Sequence, residues 1–199
     1  MTSIYKIKLA DLNEGLLQEL KHQFANAEVE VHVNTPREWT AEEEDWFWSI
    51  IARLDWQHEG DDAAVLAPAI AALAAAPIRA ILLFADILSE KLYRLDALVF
   101  ASNMGEYSFR EGYYFSVDDF LYARCCVVAN GRQAYEQVLQ DPTEMPKDAT
   151  FEALLRLAAE AYQRKTGQPM AYVPVYNIET FSNKAGWAET EEVEIETKV

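Results

Sequence analysis

Between Phe120 and Ala129 the chain reads Phe-Leu-Tyr-Ala-Arg-Cys-Cys-Val-Val-Ala, with Arg124 as the only charge. A helix that is apolar on nearly every side is buried. A guanidinium inside it needs anions or carbonyls, because an unpaired interior charge is costly. This stretch therefore demands a second element packed against it that brings such partners. Asp86 and Glu90 stand four apart in a long helical pattern and so share a face, with Tyr93 three residues beyond Glu90. The pattern predicts an ion-pair network of Arg124 with Asp86 or Glu90. Tyr93 or Tyr122 would be hydrogen-bond partners, and Asp96 is a further acid. Two readings follow. One is a structural buried salt bridge; the other is a small polar pocket between two helices, able to do acid/base chemistry.

The rest of the chain supplies a helical setting. Thr40 with Glu43 three residues on forms a capping box. The helix that follows, about 41–54, carries Trp46, Phe47, Ile50, Ile51 and Leu54 on a broad face. Asp61 or Asp62 opens the next helix and Pro77 closes it, with Pro68 expected to kink or split it. A long helix is predicted over about 78–102. Residues 104–115, rich in Gly and Tyr, read as a loop. Ser116 with Asp119 caps a helix to Asn130, and a short helix spans 132–139. The last strong helix runs from about Asp148 to Lys165 and stops at Gly167 and Pro169.

Strand periodicity appears at both ends. Residues 3–9 and 27–33 alternate, with a helix at about 12–24 opened by Asp11 between them, which predicts a small β-α-β unit. Residues 170–178 and 191–199 hold alternating β-branched and aromatic residues, and at least one of them is expected to extend its sheet. The fold class expected is α+β. A helical bundle over 40–168 would dominate, with a β-α-β appendage over 1–35 and an extended C-terminal segment over 169–199.

Charge narrows the functions. Lys and Arg total 17 against 33 Asp and Glu, a formal net charge of -16. Nucleic-acid affinity rests on cations that neutralise phosphate, and anionic membrane surfaces attract the same cations, so neither partner is expected. The glycines form no phosphate-cradling loop, there is no Gly-x-Ser-x-Gly elbow, and His22, His32 and His58 lie in separate elements. No metal or cofactor is expected. Cys125 and Cys126 are adjacent, point about 100° apart on a helix, and cannot reach disulfide geometry. On an apolar helix they behave as small hydrophobes. With no apolar signal core in residues 1–9, a cytoplasmic location is expected.

Aromatic residues are the other anomaly. Trp39, Trp46, Trp48 and Trp56 fall close together, and Tyr107, Tyr113, Tyr114 and Phe115 cluster in the middle loop. Trp48 sits about 160° around its helix from Trp46. Either that helix is sandwiched, or a Trp is an exposed anchor for a partner. Trp39, Glu43, Glu44 and Trp48 are the candidate partner-binding residues, suited to a protein with a basic rim.

Several blocks in order resemble a bacterial family, the domain of unknown function 4240 family. They are Asp45-Trp46-Phe47-Trp48, Asp86-Ile87-Leu88, Lys91-Leu92-Tyr93-Arg94-Leu95-Asp96, Asp119 to Cys125, Asp141-Pro142, and Phe151-Glu152-Ala153-Leu154-Leu155. The resemblance runs over about residues 44–172 and implies a mostly helical bacterial domain. It implies nothing about chemistry. The function expected is thus a non-enzymatic protein-binding module, immunity-type or regulatory, with a basic protein partner. The alternative is a small enzyme or ligand-binding protein that uses the Asp86, Glu90 and Arg124 cluster. A homo-oligomer joined through a strand edge or the Trp cluster is a third reading.

Overall fold

A computed structural model of the chain describes residues 13–24 and 37–188. The chain divides into two compact units, residues 1–35 and 36–199. In the first, α1 (Glu14–Gln23) is capped by Asn13, whose side chain accepts the Leu16 N–H at 3.0 Å. The expected Asp11 cap and the strands at 3–9, 27–33 and 191–199 lie outside the described residues.

The second unit is helical. Its elements are α2 (Ala41–Ile51), α3 (Asp62–Ala75), α4 (Ile78–Arg94), α5 (Leu98–Ala101), α6 (Val117–Ala129), α7 (Arg132–Gln140), α8 (Leu157–Thr166) and α9 (Lys184–Trp187). Helix α4 packs against α2, α3, α6 and α8, while α3 lies along α8 and α6 contacts α7. The core runs through Phe47, Leu66, Leu73, Phe84, Phe120 and Leu157. No helix among the described residues is long and apolar enough to cross a membrane.

Local signals set several boundaries. Thr40 and Glu43 form the capping box at α2, and the Ser116 side chain accepts the Asp119 N–H at 3.2 Å to open α6. Gly167, with φ 72°, gives α8 its left-handed C-terminal turn.

Four expectations are corrected. The α+β assignment fails, because no strand occurs among the described residues and residues 170–178 are an irregular strap rather than a strand. Pro174 stands mid-segment, where its missing N–H would break a ladder. Helix α3 is not split in two at Pro68, which is exposed, so water can satisfy the Ala64 carbonyl it frees. The long helix expected to Ser102 ends at Arg94, because Asp96 turns inward and Ala97 becomes extended (φ -145°, ψ 153°). Asp148 does not open the last helix. It has φ 53° and accepts the Glu106 N–H at 2.8 Å, while α8 begins at Leu157 after the 3-10 turn Glu152–Arg156.

Candidate functional site

Arg124 is wholly buried, as an all-round apolar helix requires, but its partners are not the expected ones. Nη1 donates to the Leu92 carbonyl at 2.9 Å. Nη2 donates to the Ile178 carbonyl and to Thr180 Oγ1, each at 3.0 Å. The guanidinium carbon lies 4.8 Å from the centre of the Phe120 ring, one turn earlier on α6. Burial pulls the guanidinium down to about 10, and the negative charge of Asp96 opposes that shift. The predicted pairing with Asp86 or Glu90 is therefore corrected. The break after Arg94 leaves the Leu92 carbonyl among the last carbonyls of α4, which a helix end leaves unpaired, while Arg124 Nε is buried with no hydrogen-bond partner.

The acids of α4 serve other purposes. Asp86 accepts the Tyr172 hydroxyl at 2.7 Å and the Val175 N–H at 3.0 Å. Burial raises its pKa, and these two hydrogen bonds work against the rise. One turn on, Ser89 Oγ accepts the Tyr176 N–H at 3.3 Å, and the Tyr93 ring lies 5.1 Å from that of Tyr176. Asp96, also fully buried, accepts the Phe181 N–H at 3.1 Å, the Asn183 N–H at 2.9 Å and Trp187 Nε1–H at 2.8 Å. Residues 86, 89 and 93 step by three or four along one face of α4, and Asp96 follows two residues past its end. A furrow beside α4 thus grips the strap from Tyr172 to Trp187. Gly186 lets the strap close onto it, since a Cβ there would fall 2.7 Å from the Ala97 Cβ and 2.8 Å from the Asp96 carbonyl oxygen.

Glu90 points to the other end. It accepts Trp39 Nε1–H at 2.6 Å and lies 3.4 Å from Lys91 Nζ. Lys91, only 3% exposed, is also paired with Glu44. Arg37 grips both carboxylate oxygens of Glu43, at 2.6 and 2.8 Å, and stacks 4.3 Å from the centre of the Trp39 ring. Trp48 is 7% exposed and packs on Phe47 and Tyr135, so α2 is sandwiched and Trp48 is no surface anchor. Tyr122 stands apart from Arg124's polar partners, with Glu152 as its neighbour. The structure therefore brings Asp86, Tyr93 and Arg124 to one strap, Glu90 with Trp39 and Glu44 to one ion-pair knot, and leaves Tyr122 elsewhere.

Sequence reasoning missed Ser89, Tyr172, Thr180 and Trp187, and gave Asp96 a secondary place. Pro169, Pro174 and Asn177 were the available signals, for they disfavour a paired strand across residues 169–178. Burial pushes the Cys125 thiol up to about 12 and raises Cys126 as well, the opposite of a reactive thiolate. No group of three or more potential metal ligands converges among the described residues.

Arg37 above all, and the Thr40 N–H after it, hold Glu43 down to about 2 from an ordinary 4.5. A lowered carboxylate pKa stabilises the folded state fully above 4.5, and that contribution is lost as pH falls toward 2. We expect the Glu43 carboxyl carbon to titrate near 2 by NMR and to move back up in Arg37→Ala. A midpoint at the ordinary value would contradict the pairing.

The family model described as "Protein of unknown function (DUF4240)" matches residues 43–164 of the chain. No curated protein and no solved structure matches it.

Proposed function

We propose that this chain, which belongs to the DUF4240 family, is a non-enzymatic protein-binding module that captures a basic protein through its tyrosine loop. The observation that carries the reading is the exposure of three tyrosines on a braced loop. Tyr107, Tyr113 and Tyr114 are 60%, 77% and 93% exposed. Beneath them Phe109 and Phe115 pack on each other at 5.3 Å, and Phe115 packs on Phe120 at 5.7 Å. The loop base is held by Phe109 N–H donating to the Ala101 carbonyl at 2.8 Å and by the Asp148 bond to Glu106. Rigid aromatic anchors offer large contact area at small entropic cost, and such residues dominate binding energy where they are buried by a partner.

Charge selects the partner's sign. Glu106, Glu111 and Asp118 are exposed around the tyrosines against the exposed cations Arg110 and Lys147, within a chain of net charge -16. Opposite charge speeds encounter and rejects acidic competitors, and tyrosine faces accept Lys or Arg. The ligand-pocket alternative has less support. Asp86 and Arg124 hold the strap, and Glu90 is bound to Trp39 and Lys91.

Immobilised full chain should retain a basic protein from host lysate at low salt and release it steeply as salt rises. The Tyr113→Ser/Tyr114→Ser variant should retain it at least about tenfold less, since two hot-spot side chains are worth more than the 1.4 kcal/mol of a tenfold change. Undiminished retention by that variant, with unchanged thermal unfolding, overturns the assignment.

A further inference from the structure

We propose that the cleft at the foot of the tyrosine loop binds a small phosphate monoester with a hydroxylated remainder. The cleft has a volume of about 310 Å³, and its walls include Arg110, Lys147, Ser102, Asn103 and Ser108. No carboxylate lines it. In a chain with 33 acidic and 17 basic side chains, a cleft whose charged lining is wholly cationic runs against the composition. A concave surface lined by one sign of charge focuses its field on a ligand of the opposite sign. Asp148, next to Lys147 in sequence, is withheld from the lining. Its carboxylate accepts the Glu106 N–H and sits behind Gly105, where a Cβ would fall 2.5 Å from it.

The two cations supply donors for a phosphoryl group. Lys147 Nζ donates to the Asn103 carbonyl at 2.5 Å and to the Thr143 carbonyl at 2.8 Å. These bonds fix the ammonium at the cleft wall and leave its third N–H for a ligand. The Arg110 guanidinium has no hydrogen-bond or ion-pair partner among the described residues. Its planar fork matches two oxygens of one phosphoryl group.

The neutral groups supply acceptors, which an anion cannot use and ligand hydroxyls can. Ser108 Oγ donates to the Gly105 carbonyl at 2.9 Å and keeps its lone pairs. Asn103 Nδ2 donates to the Val99 carbonyl at 2.8 Å, which leaves the side-chain oxygen to accept. The volume exceeds what a bare phosphate ion fills and lies at the lower end of small-ligand sites, roughly 300–1,000 Å³. A phosphoryl group on the cations, with a short polyol against Ser108 and Asn103, satisfies both sets. This site goes beyond partner capture by the tyrosines and uses none of them.

The test is titration of the full chain with glycerol phosphate, inorganic phosphate and glycerol, followed by amide NMR at constant ionic strength and about pH 7.5, where the phosphoryl group is dianionic. Glycerol phosphate should give saturable shifts at the Gly105 and Ser108 amides, with a dissociation constant on the order of 1 mM. Inorganic phosphate should bind several-fold more weakly, and glycerol should leave both amides unmoved. Arg110→Gln should weaken glycerol phosphate at least about tenfold. Its thermal unfolding should be unchanged, because the Arg110 side chain is exposed and holds nothing in place. No saturable shift up to about 50 mM glycerol phosphate, or equal binding by Arg110→Gln, overturns the proposal. Inorganic phosphate that binds as tightly as the ester means an adventitious ion only, and overturns it as well. Tyr113→Ser/Tyr114→Ser should bind glycerol phosphate like the unaltered chain, which separates this result from the fate of the tyrosine-loop reading.

Discussion

Arg124→Met is expected to destabilise the protein by about 3–5 kcal/mol in urea unfolding, the range for breaking a buried charge network by removing one member. The methionine fills much of the same volume, so the loss is not a cavity effect. The Leu92 and Ile178 carbonyls and the Thr180 hydroxyl lose their donors. Asp96 loses the cation whose field it shares. Arg124→Lys should recover little, because one compact ammonium does not reproduce a planar fork that serves acceptors on α4 and on the strap together. Asp96→Asn in the Arg124→Met background should cost less than in the unaltered chain, since removing both charges leaves none uncompensated. A single-variant loss under about 1 kcal/mol would contradict the assigned role, given that an ordinary hydrogen bond alone contributes that much.

Asp96→Ala should cost about 3–4 kcal/mol, because three part-buried donors lose one fully buried charged acceptor at once. For a chain of this length the midpoint of thermal unfolding should fall by roughly 10 °C. The effect should be local as well as global. The Phe181 and Asn183 amides should lose hydrogen-exchange protection ahead of α6 and α4, because the strap end detaches before the helices melt. Trp187, packed 4.4 Å from Phe181 and 5.8 Å from Phe120, should then be released into water. Retained protection at Phe181 and Asn183 in this variant would show that the aromatic contacts hold the strap without the carboxylate.

The two variants probe the places where the sequence was read with different success. Composition around Arg124 was enough to place it inside, because a lone charge among ten residues of apolar helix has nowhere else to go. The same logic located the caps at Thr40 and Ser116, the turn at Gly167 and the aromatic anomaly at Tyr107, Tyr113 and Tyr114. It did not locate the guanidinium's partners. Spacing on α4 pointed to Asp86 and Glu90 as a pair facing α6. The two instead diverge, Asp86 to the strap and Glu90 to Trp39. Nor did any Gly or Pro mark the end of α4. Helix propensity continues through Leu95-Asp96-Ala97, and the break exists because burying the Asp96 carboxylate among three donors outweighs a few more helical bonds.

The strap shows the division most plainly. Alternating Tyr172, Val173, Val175 and Tyr176 have the composition of a strand, and a strand needs a paired edge that only a neighbour can supply. Among the described residues no such edge lies beside them; α4 does, and it meets the backbone with side chains. The existence of the main helices, the caps at Thr40 and Ser116 and the interior location of Arg124 were thus decided locally, by periodicity and by the cost of an unpaired charge, whereas the end of α4 and the start of α8 were not. Which oxygen meets which nitrogen was decided by the packing of segments some thirty to ninety residues apart, because hydrogen-bond partners depend on distances in space that no pattern along one chain encodes.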